Sequence, residues 1–178
     1  TLETIRMKAL SNQDKDVATA VKLLGKYMRH NLESTGITIS LRTELEYIEI
    51  YLTIQKLRFG DKINFAISIE PGFSTSNYYI LSLLIQPIVE NSIIHGLEEI
   101  ESNGMIHINV STDSSNDTVI IAVSDNGVGL TEEELDKLLN KIHSREKRPN
   151  SSIGLFNIYQ RIQLCYGTEY GLTITSAP

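Results

Sequence analysis

The sequence has little cysteine and an excess of acidic residues. Cys165 is the only cysteine among 178 residues, so no internal disulfide can form and a reducing compartment is favoured. A lone thiol of this kind is most often a small core residue, and we expect Cys165 to be buried. Acidic residues number 22 against 16 basic ones, which gives a net charge of −6. This charge argues against binding to a nucleic-acid backbone.

Long apolar runs and a leader peptide are also missing. The longest apolar stretch, 78–89, is interrupted by Ser82, Gln86 and Pro87. It is shorter than the roughly 20 residues that a membrane-spanning helix requires. Residues 1–4 lack the character of a signal peptide and match the interior of a helix. We therefore expect a fragment of a longer protein that makes no membrane contact itself.

Several common ligand-binding motifs are absent. No GxxxxGK[ST] run occurs, and a dinucleotide fingerprint beginning at Gly127 would need a third glycine at Glu132. The histidines are scattered along the sequence: His30, His95, His107 and His143. This scatter disfavours a zinc centre. A P-loop, a dinucleotide site and a zinc site are therefore not expected.

Hydrophobic spacing divides the chain into a helical hairpin and a larger domain. Apolar residues at helical spacing predict two helices, separated by the polar run 11–14 and ending near 34–36. Such a hairpin cannot bury its apolar stripe alone and should pack on a partner or on the rest of the chain. We place the hairpin at 1–38 and the larger domain at 39–178. Ser40 is a plausible cap for the first helix of that domain.

Strand and helix patterns are mixed in the larger domain. Alternating apolar residues predict strands at 63–69, 106–110, 119–123 and 172–174, with a turn at 114–117. Helical spacing predicts further helices at 81–96, 131–142 and 153–166. Pro87 should kink the first of these or mark its true start, and Thr131 with Glu134 forms a capping box for the second. Strict β-α-β alternation is lacking, so we expect an α+β sandwich whose helices cover one face of a mixed sheet.

The run 125–129, DNGVG, places a carboxylate at the end of an apolar strand. A buried Asp125 could accept a hydrogen bond from the exocyclic amine of adenine, and it would reject guanine, which has an oxygen there. Gly127 and Gly129 lack a Cβ, so the backbone can turn sharply and lie against a ligand. The same run also fits a simple turn.

The run 86–91, QPIVEN, places Glu90 beside Asn91 in a helix-patterned segment. Neighbouring side chains on a helix diverge by about 100°. Asn91 offers a neutral oxygen suited to magnesium, which takes phosphate oxygens and water as its other ligands. Glu90 could orient or deprotonate an attacking group near a γ-phosphate. An ordinary polar helix face is the alternative.

Two further features fit phosphate binding. Gly154 opens a helix, and the free amides of a helix N-terminus attract phosphate. The run 141–148 contains four Lys or Arg and one acid, and a basic loop of this kind could close over a triphosphate. A plain helix start and a solvated charged loop remain open as alternatives.

Taken in order, the runs 86–91, 125–129 and 152–155 resemble the N box and two glycine boxes of one ATPase superfamily. Its members include gyrase, the heat-shock chaperone, mismatch-repair ATPases and sensor histidine kinases. The longer runs 46–60, 86–96 and 154–161 narrow the resemblance to two-component sensor histidine kinases of the YesM/LytS type. The resemblance covers nearly the whole chain.

This resemblance implies a Bergerat-type two-layer α/β sandwich, preceded by the remnant of dimerisation and phosphotransfer helices. It implies ATP and Mg²⁺ as ligands, with Asp125 on adenine, Asn91 on magnesium and Glu90 as the catalytic residue near the transferred phosphoryl group. The ATP-binding residues expected from the three runs are Asn91, His95, Asp125, Gly127, Gly129, Ser152, Gly154 and Leu155.

The resemblance also implies a cellular context. In that family the phospho-accepting histidine directly precedes a segment like residues 1–5, so the acceptor is expected upstream of this fragment. The expected partners are a response regulator and, in the full-length protein, a second copy of the chain. The expected location is the cytoplasmic portion of a membrane-bound bacterial sensor kinase.

Two positions depart from the family pattern. Ile94 stands where many members carry a lysine, and Ser152 replaces the first glycine of the second glycine box. Other readings therefore stay open: an ATP hydrolase or serine kinase of the same superfamily, or a non-catalytic dimerisation module with a degenerate nucleotide pocket.

Overall fold

Helices and strands alternate irregularly along the chain. The computed structural model describes residues 1–33, 36–113, 118–143 and 153–177, with the backbone alone for 30–33 and 153. The helices are α1 (Leu2–Ser11), α2 (Lys15–Glu33), α3 (Leu41–Phe59), α4 (Gln86–Asn91), α5 (Glu132–His143) and α6 (Ile153–Tyr166). The strands are β1 (Thr38–Ser40), β2 (Ile63–Ile69), β3 (Tyr79–Leu81), β4 (Gly104–Asp113) and β5 (Thr118–Asp125). The predicted turn at 114–117, Ser152 and most of the basic run lie outside the described residues.

The N-terminal helices form the expected hairpin. The Asp14 carboxylate accepts a hydrogen bond from the Val17 amide at 3.0 Å, which satisfies a free donor at the start of α2. Ala9 and Ala18 are buried, whereas apolar side chains such as Ile5 and Met28 stay exposed. No helix within the described ranges combines the length and the apolar character that crossing a bilayer would require.

The main sheet is mixed, as predicted. Strand β4 lies in the centre, parallel to β2 and antiparallel to β5. Burial alternates along β4, with Ile106, Ile108 and Val110 fully covered, as expected for a sheet that has one face against helices. A separate two-stranded sheet pairs β1 with β3.

One core joins this sheet to three helices. It collects Ile48 and Leu52 of α3, Val89 of α4, and Ile158 and Ile162 of α6. Ser40 caps α3, since its hydroxyl accepts a hydrogen bond from the Thr43 amide at 3.1 Å. Thr131 and Glu134 exchange the hydrogen bonds of the predicted capping box at the start of α5. The α+β sandwich with a preceding helical hairpin is thus confirmed.

The predicted helix at 81–96 begins later than its spacing indicated. Leu81 belongs to β3, and α4 starts at Gln86 with Pro87 in its first turn, where a missing amide hydrogen costs nothing. Pro87 therefore marks a true helix start. The helix then widens into a π-helical turn over Ser92–Leu97, a distortion that is frequent at functional sites.

Two other predictions were wrong. Residues 172–174 form no strand; the segment before them is held by the Gln163 amide, which donates to the carbonyls of Thr168 and Tyr170. Cys165 is exposed near the end of α6, because the inner face of that helix is used by Ile158 and Ile162. The beginning of the basic run, 141–143, is the last turn of α5, in agreement with the helix predicted to run to Ile142.

Candidate functional site

Asp125 is the last residue of β5, and its side chain is exposed. The expectation of a buried carboxylate is therefore wrong for this structure, because β5 is the outer strand of the described sheet. The Oδ1 atom of Asp125 accepts a hydrogen bond from the Gly127 amide at 3.0 Å. This bond orients the carboxylate and leaves Oδ2 available to a ligand.

The loop after Asp125 packs directly on the π-helical turn. The Val128 amide donates to the Gly96 carbonyl at 3.1 Å. A Cβ on Gly127 would lie 2.3 Å from the Gly96 carbonyl oxygen, and a Cβ on Gly96 would lie 2.6 Å from Asp125 Oδ1. Gly127 is thus required for the close backbone contact between the two segments, and Gly96 leaves room for the Asp125 carboxylate. Gly129, at φ +67°, supplies the sharp turn that follows.

Gly96 has a packing role that the sequence did not reveal. The expectation for Gly127 was contact with a ligand, and in this structure its missing side chain admits the backbone of Gly96. The HG dipeptide at 95–96 was a visible signal, but nothing in one sequence says which backbone approaches a glycine. The contact brings the C-terminal part of the 86–97 helical segment to the end of β5.

Glu90 faces the N-terminal helices. Its Oε1 atom accepts hydrogen bonds from Gln86 Nε2 at 2.8 Å and from the hydroxyl of Tyr27 on α2 at 3.4 Å. Gln86 also donates to the Tyr27 hydroxyl. Burial, followed by the negative charge of Glu90, raises the pKa of Tyr51 on α3 to about 12. Glu90 therefore belongs to a polar cluster between α2, α3 and α4.

Asn91 and His95 follow Glu90 along the same helical segment. Asn91 is the last residue of α4 and is half-buried, and His95 is exposed on the π-helical turn. Because neighbouring helical residues diverge by about 100°, Asn91 does not share the direction of Glu90. Within the described ranges, no group of three or more His, Cys, Asp or Glu side chains could hold a metal ion by itself. A metal held here would need ligands from the nucleotide.

The second glycine-containing run is only partly described. Gly154 is exposed in the first turn of α6, and a Cβ placed on it would meet no described atom within 4 Å apart from its own chain neighbours and helix backbone. Leu155 packs against the core and anchors this turn. Ser152 lies outside the described residues. The assignment of these residues to a nucleotide remains a prediction.

Glu44 on α3 is a buried carboxylate of this region that no sequence motif indicated. Its side chain is 2% exposed. It accepts the backbone amides of Leu83, Leu84 and Ile85 at 2.9–3.1 Å. Helix α4 has no side-chain cap of its own, so Glu44 supplies the acceptor that its entrance needs. The available signal was an acid on the apolar face of a predicted helix.

The buried carboxyl of Glu44 should make the stability of the folded chain depend on pH. Burial raises the pKa of its carboxyl above the ordinary 4.5, although the backbone amides oppose this rise. The folded state therefore binds the Glu44 proton more tightly than the unfolded state does. The bound proton adds to the free energy of unfolding at low pH, and this gain is lost as the pH rises from 4.5 through the raised pKa. Glu44→Gln removes the titration, so its free energy of unfolding relative to the parent should increase across that window. Denaturant unfolding at a series of pH values measures this; parallel profiles would contradict it.

Comparison with known proteins assigns the fold and the family. Residues 1–63 match the sequence model of the histidine kinase family. Residues 77–178 match the model of histidine kinase-, DNA gyrase B-, and HSP90-like ATPases. The histidine kinase domain of the EL346 blue-light activated histidine kinase from Erythrobacter litoralis aligns with a TM-score of 0.52 over 97% of this chain and 76% of that chain. Its sequence identity is 15%, so this likeness shows the fold alone.

Curated relatives include two sensor histidine kinases, YpdA and YesM, and the sensor protein LytS. YpdA of Escherichia coli K12 is 36% identical over 81% of this chain and 24% of its own length. YesM of Bacillus subtilis is 31% identical over 99% of this chain and 28% of its own length. LytS of Oceanobacillus iheyensis is 36% identical over 85% of this chain and 25% of its own length. The chain thus spans about a quarter of the length of these relatives.

The chain therefore belongs to the family of histidine kinase-, DNA gyrase B-, and HSP90-like ATPases. Within that family it is of the YesM/LytS type of sensor histidine kinase.

Proposed function

We propose that this chain is the ATP-binding catalytic portion of a sensor protein histidine kinase, which transfers the γ-phosphoryl group of Mg-ATP to a histidine of the longer protein. One observation carries the proposal. The helical segment 86–97 contacts the hairpin through Glu90 and contacts the loop after Asp125 through Gly96. A single helix thus connects a nucleotide-binding loop with helices that could present an acceptor.

Asp125 is proposed to recognise adenine. Its Oδ1 atom already accepts the Gly127 amide, so Oδ2 would accept the exocyclic amine of the base. A 6-oxo purine offers an acceptor at that position and would face the carboxylate unfavourably. The turn at Gly127 and Gly129 and the amides opening α6 at Gly154 and Leu155 would lie along the phosphates.

Asn91 is proposed to hold the magnesium ion of Mg-ATP. The fit rests on the chemistry of the donor set: Asn91 is half-buried and carries an amide oxygen, and the described residues form no acidic cage around it. Such a site suits an ion that arrives with phosphate and water ligands. When bound, magnesium would neutralise negative charge on the β- and γ-phosphates.

Glu90 is proposed as the catalytic carboxylate. An imidazole nitrogen of the acceptor histidine would attack the γ-phosphorus, and the bond from that phosphorus to the leaving oxygen of ADP would break. Glu90 would accept the hydrogen bond of the other imidazole nitrogen and stabilise the positive charge that develops on the ring. Its hydrogen bond with Tyr27 of α2 supports a role close to the acceptor histidine.

The wider context follows from the relatives and is part of the same proposal. The full-length protein would act as a homodimer in a two-component system and pass its phosphoryl group to a response regulator. The likeness to the sensor histidine kinase YesM and the sensor protein LytS supports a sensory role and the cytoplasmic position of this portion in a membrane-bound kinase.

Calorimetric titration with ATP, with and without magnesium, tests the proposal. We expect magnesium to strengthen ATP binding, and Asn91→Ala to reduce that enhancement by about tenfold or more, as for the loss of a group that holds a metal. Asn77→Ala, an exposed amide in the turn 74–77, is the matched control and should behave like the parent. Failure of the parent chain to bind Mg-ATP would refute the proposal. Steady release of phosphate would favour an ATP hydrolase instead.

A further inference from the structure

The turn that leads into α4 is held by polar contacts from two other helices. Leu83 adopts a positive φ of +55°, a backbone conformation that a branched apolar residue keeps only when its surroundings enforce it. On one side, Glu44 of α3 accepts the amides of residues 83–85. The conformation of this turn determines where α4 begins.

Arg161 of α6 holds the other side of the turn. Its Nη1 atom donates to the Leu83 carbonyl at 3.2 Å, and its Nη2 atom donates to the Ser82 carbonyl at 2.6 Å. One planar guanidinium thus bridges two successive carbonyls, a geometry that lysine cannot reproduce. The hydroxyl of Tyr166, also on α6, accepts the Leu81 amide at 3.1 Å.

Helix α6 links this turn to the other end of the candidate site. Its first turn contains Gly154 and Leu155, and Ile158 and Ile162 fix it in the core. Arg161 lies further along the same helix, between these two anchors in the sequence, and its side chain reaches the turn. A shift of α6 would therefore move the carbonyls of Ser82 and Leu83, and with them the start of α4.

We propose that Arg161 is a positioning residue that couples the phosphate-binding end of α6 to Glu90 and Asn91 through the turn 82–85. This inference rests on the proposed function, because it assigns to Arg161 the placement of the magnesium ligand Asn91. Arg161 touches neither nucleotide nor metal. It fixes the backbone from which α4 projects both side chains.

The test compares Arg161→Met with the parent chain. Hydrogen exchange should become faster at the amides of residues 83–85, and calorimetry should show the magnesium enhancement of ATP binding reduced about tenfold. ATP affinity without magnesium should stay within about twofold, because Asp125 and Gly127 are untouched. Added methylguanidinium should restore part of the enhancement, and Arg161→Lys should retain part of it, since one donor of the pair survives.

Arg42→Met provides the matched control. Arg42 is an exposed arginine on α3 that pairs with Glu46. Its loss should leave unchanged both the hydrogen exchange at residues 83–85 and the magnesium enhancement of ATP binding. An unaltered magnesium enhancement in Arg161→Met would overturn the inference. So would equal losses of affinity with and without magnesium, which would indicate general destabilisation. If Arg161→Met does not fold, the same two comparisons are made on Arg161→Lys. Failure of the parent to bind Mg-ATP would instead refute the proposed function itself.

Discussion

Gly127→Ala should destabilise the chain by about 3 kcal/mol and greatly weaken nucleotide binding. The new Cβ would lie 2.3 Å from the carbonyl oxygen and 2.5 Å from the Cα of Gly96. These are backbone atoms, so the loop and the π-helical turn would have to separate, and overpacking of this kind costs roughly 1–3 kcal/mol or more. The separation would also displace the Gly127 amide that orients Asp125. Denaturant unfolding and an ATP titration measure the two effects.

Gly25→Ala is the control for this substitution, and its effect should have the opposite sign. Gly25 lies inside α2, and its added Cβ would have only the Leu2 side chain nearby, at 3.7 Å. Alanine in a helix interior is more favourable than glycine by about 1 kcal/mol, so this variant should gain stability and bind ATP like the parent. Equal stability of Gly127→Ala and the parent would show that the loop after Asp125 and the π-helical turn are not in tight contact.

The elements of the fold follow closely from local patterns in the sequence. The predicted strands at 63–69, 106–110 and 119–123 all formed, and the helix at 153–166 has the predicted bounds. These segments are specified by periodic apolar side chains, and the caps at Ser40 and Thr131 by short-range hydrogen bonding. Residues 172–174 carry the same alternation but have no strand partner within the described part of the chain. Pairing depends on a neighbour, and a single pattern does not supply one.

The candidate site was predictable in composition but not in arrangement. Asp125 was identified, yet its exposure depends on its place in the outer strand of the described sheet. Glu44 and Arg161 meet the same short turn from positions far apart in the sequence. No periodicity or motif links them, because their partners are backbone atoms, which every residue has. Such contacts appear only when the helices are placed in three dimensions.

Glu90 and Asn91 are adjacent on one helix, so their side chains diverge by about 100°. Glu90 contacts Tyr27 of the hairpin, and Asn91 lies on a different face of the helix. Gly96, further along, fixes the same segment to the loop that follows Asp125. In the proposed function, the placement of both side chains would thus depend on how this helical segment is held. This is why two variants are expected to be informative: Gly127, which contacts the segment, and Arg161, which holds the turn before it.

Asp125→Asn should weaken ATP binding by about 10- to 100-fold, the cost of losing a hydrogen bond to a charged group. The asparagine oxygen can still accept the Gly127 amide, as Asp125 Oδ1 does now at 3.0 Å. Its amino group would then replace Oδ2 and face the exocyclic amine of adenine, so that two donors oppose each other. The same amino group suits the oxygen of a 6-oxo purine. The preference for ATP over inosine triphosphate should therefore fall, as measured by competitive titration.

This change in preference separates recognition of the base from general loss of structure. General destabilisation of the pocket would lower the affinities for ATP and inosine triphosphate equally. An unchanged ratio of the two affinities would therefore contradict the role proposed for Asp125. Asp136→Asn makes the same charge change at an exposed position on α5 and should alter neither affinity. Because Asp125 is exposed before binding, its discrimination depends on the nucleotide itself excluding water from the carboxylate. Triphosphate without a base should accordingly bind parent and Asp125→Asn equally well.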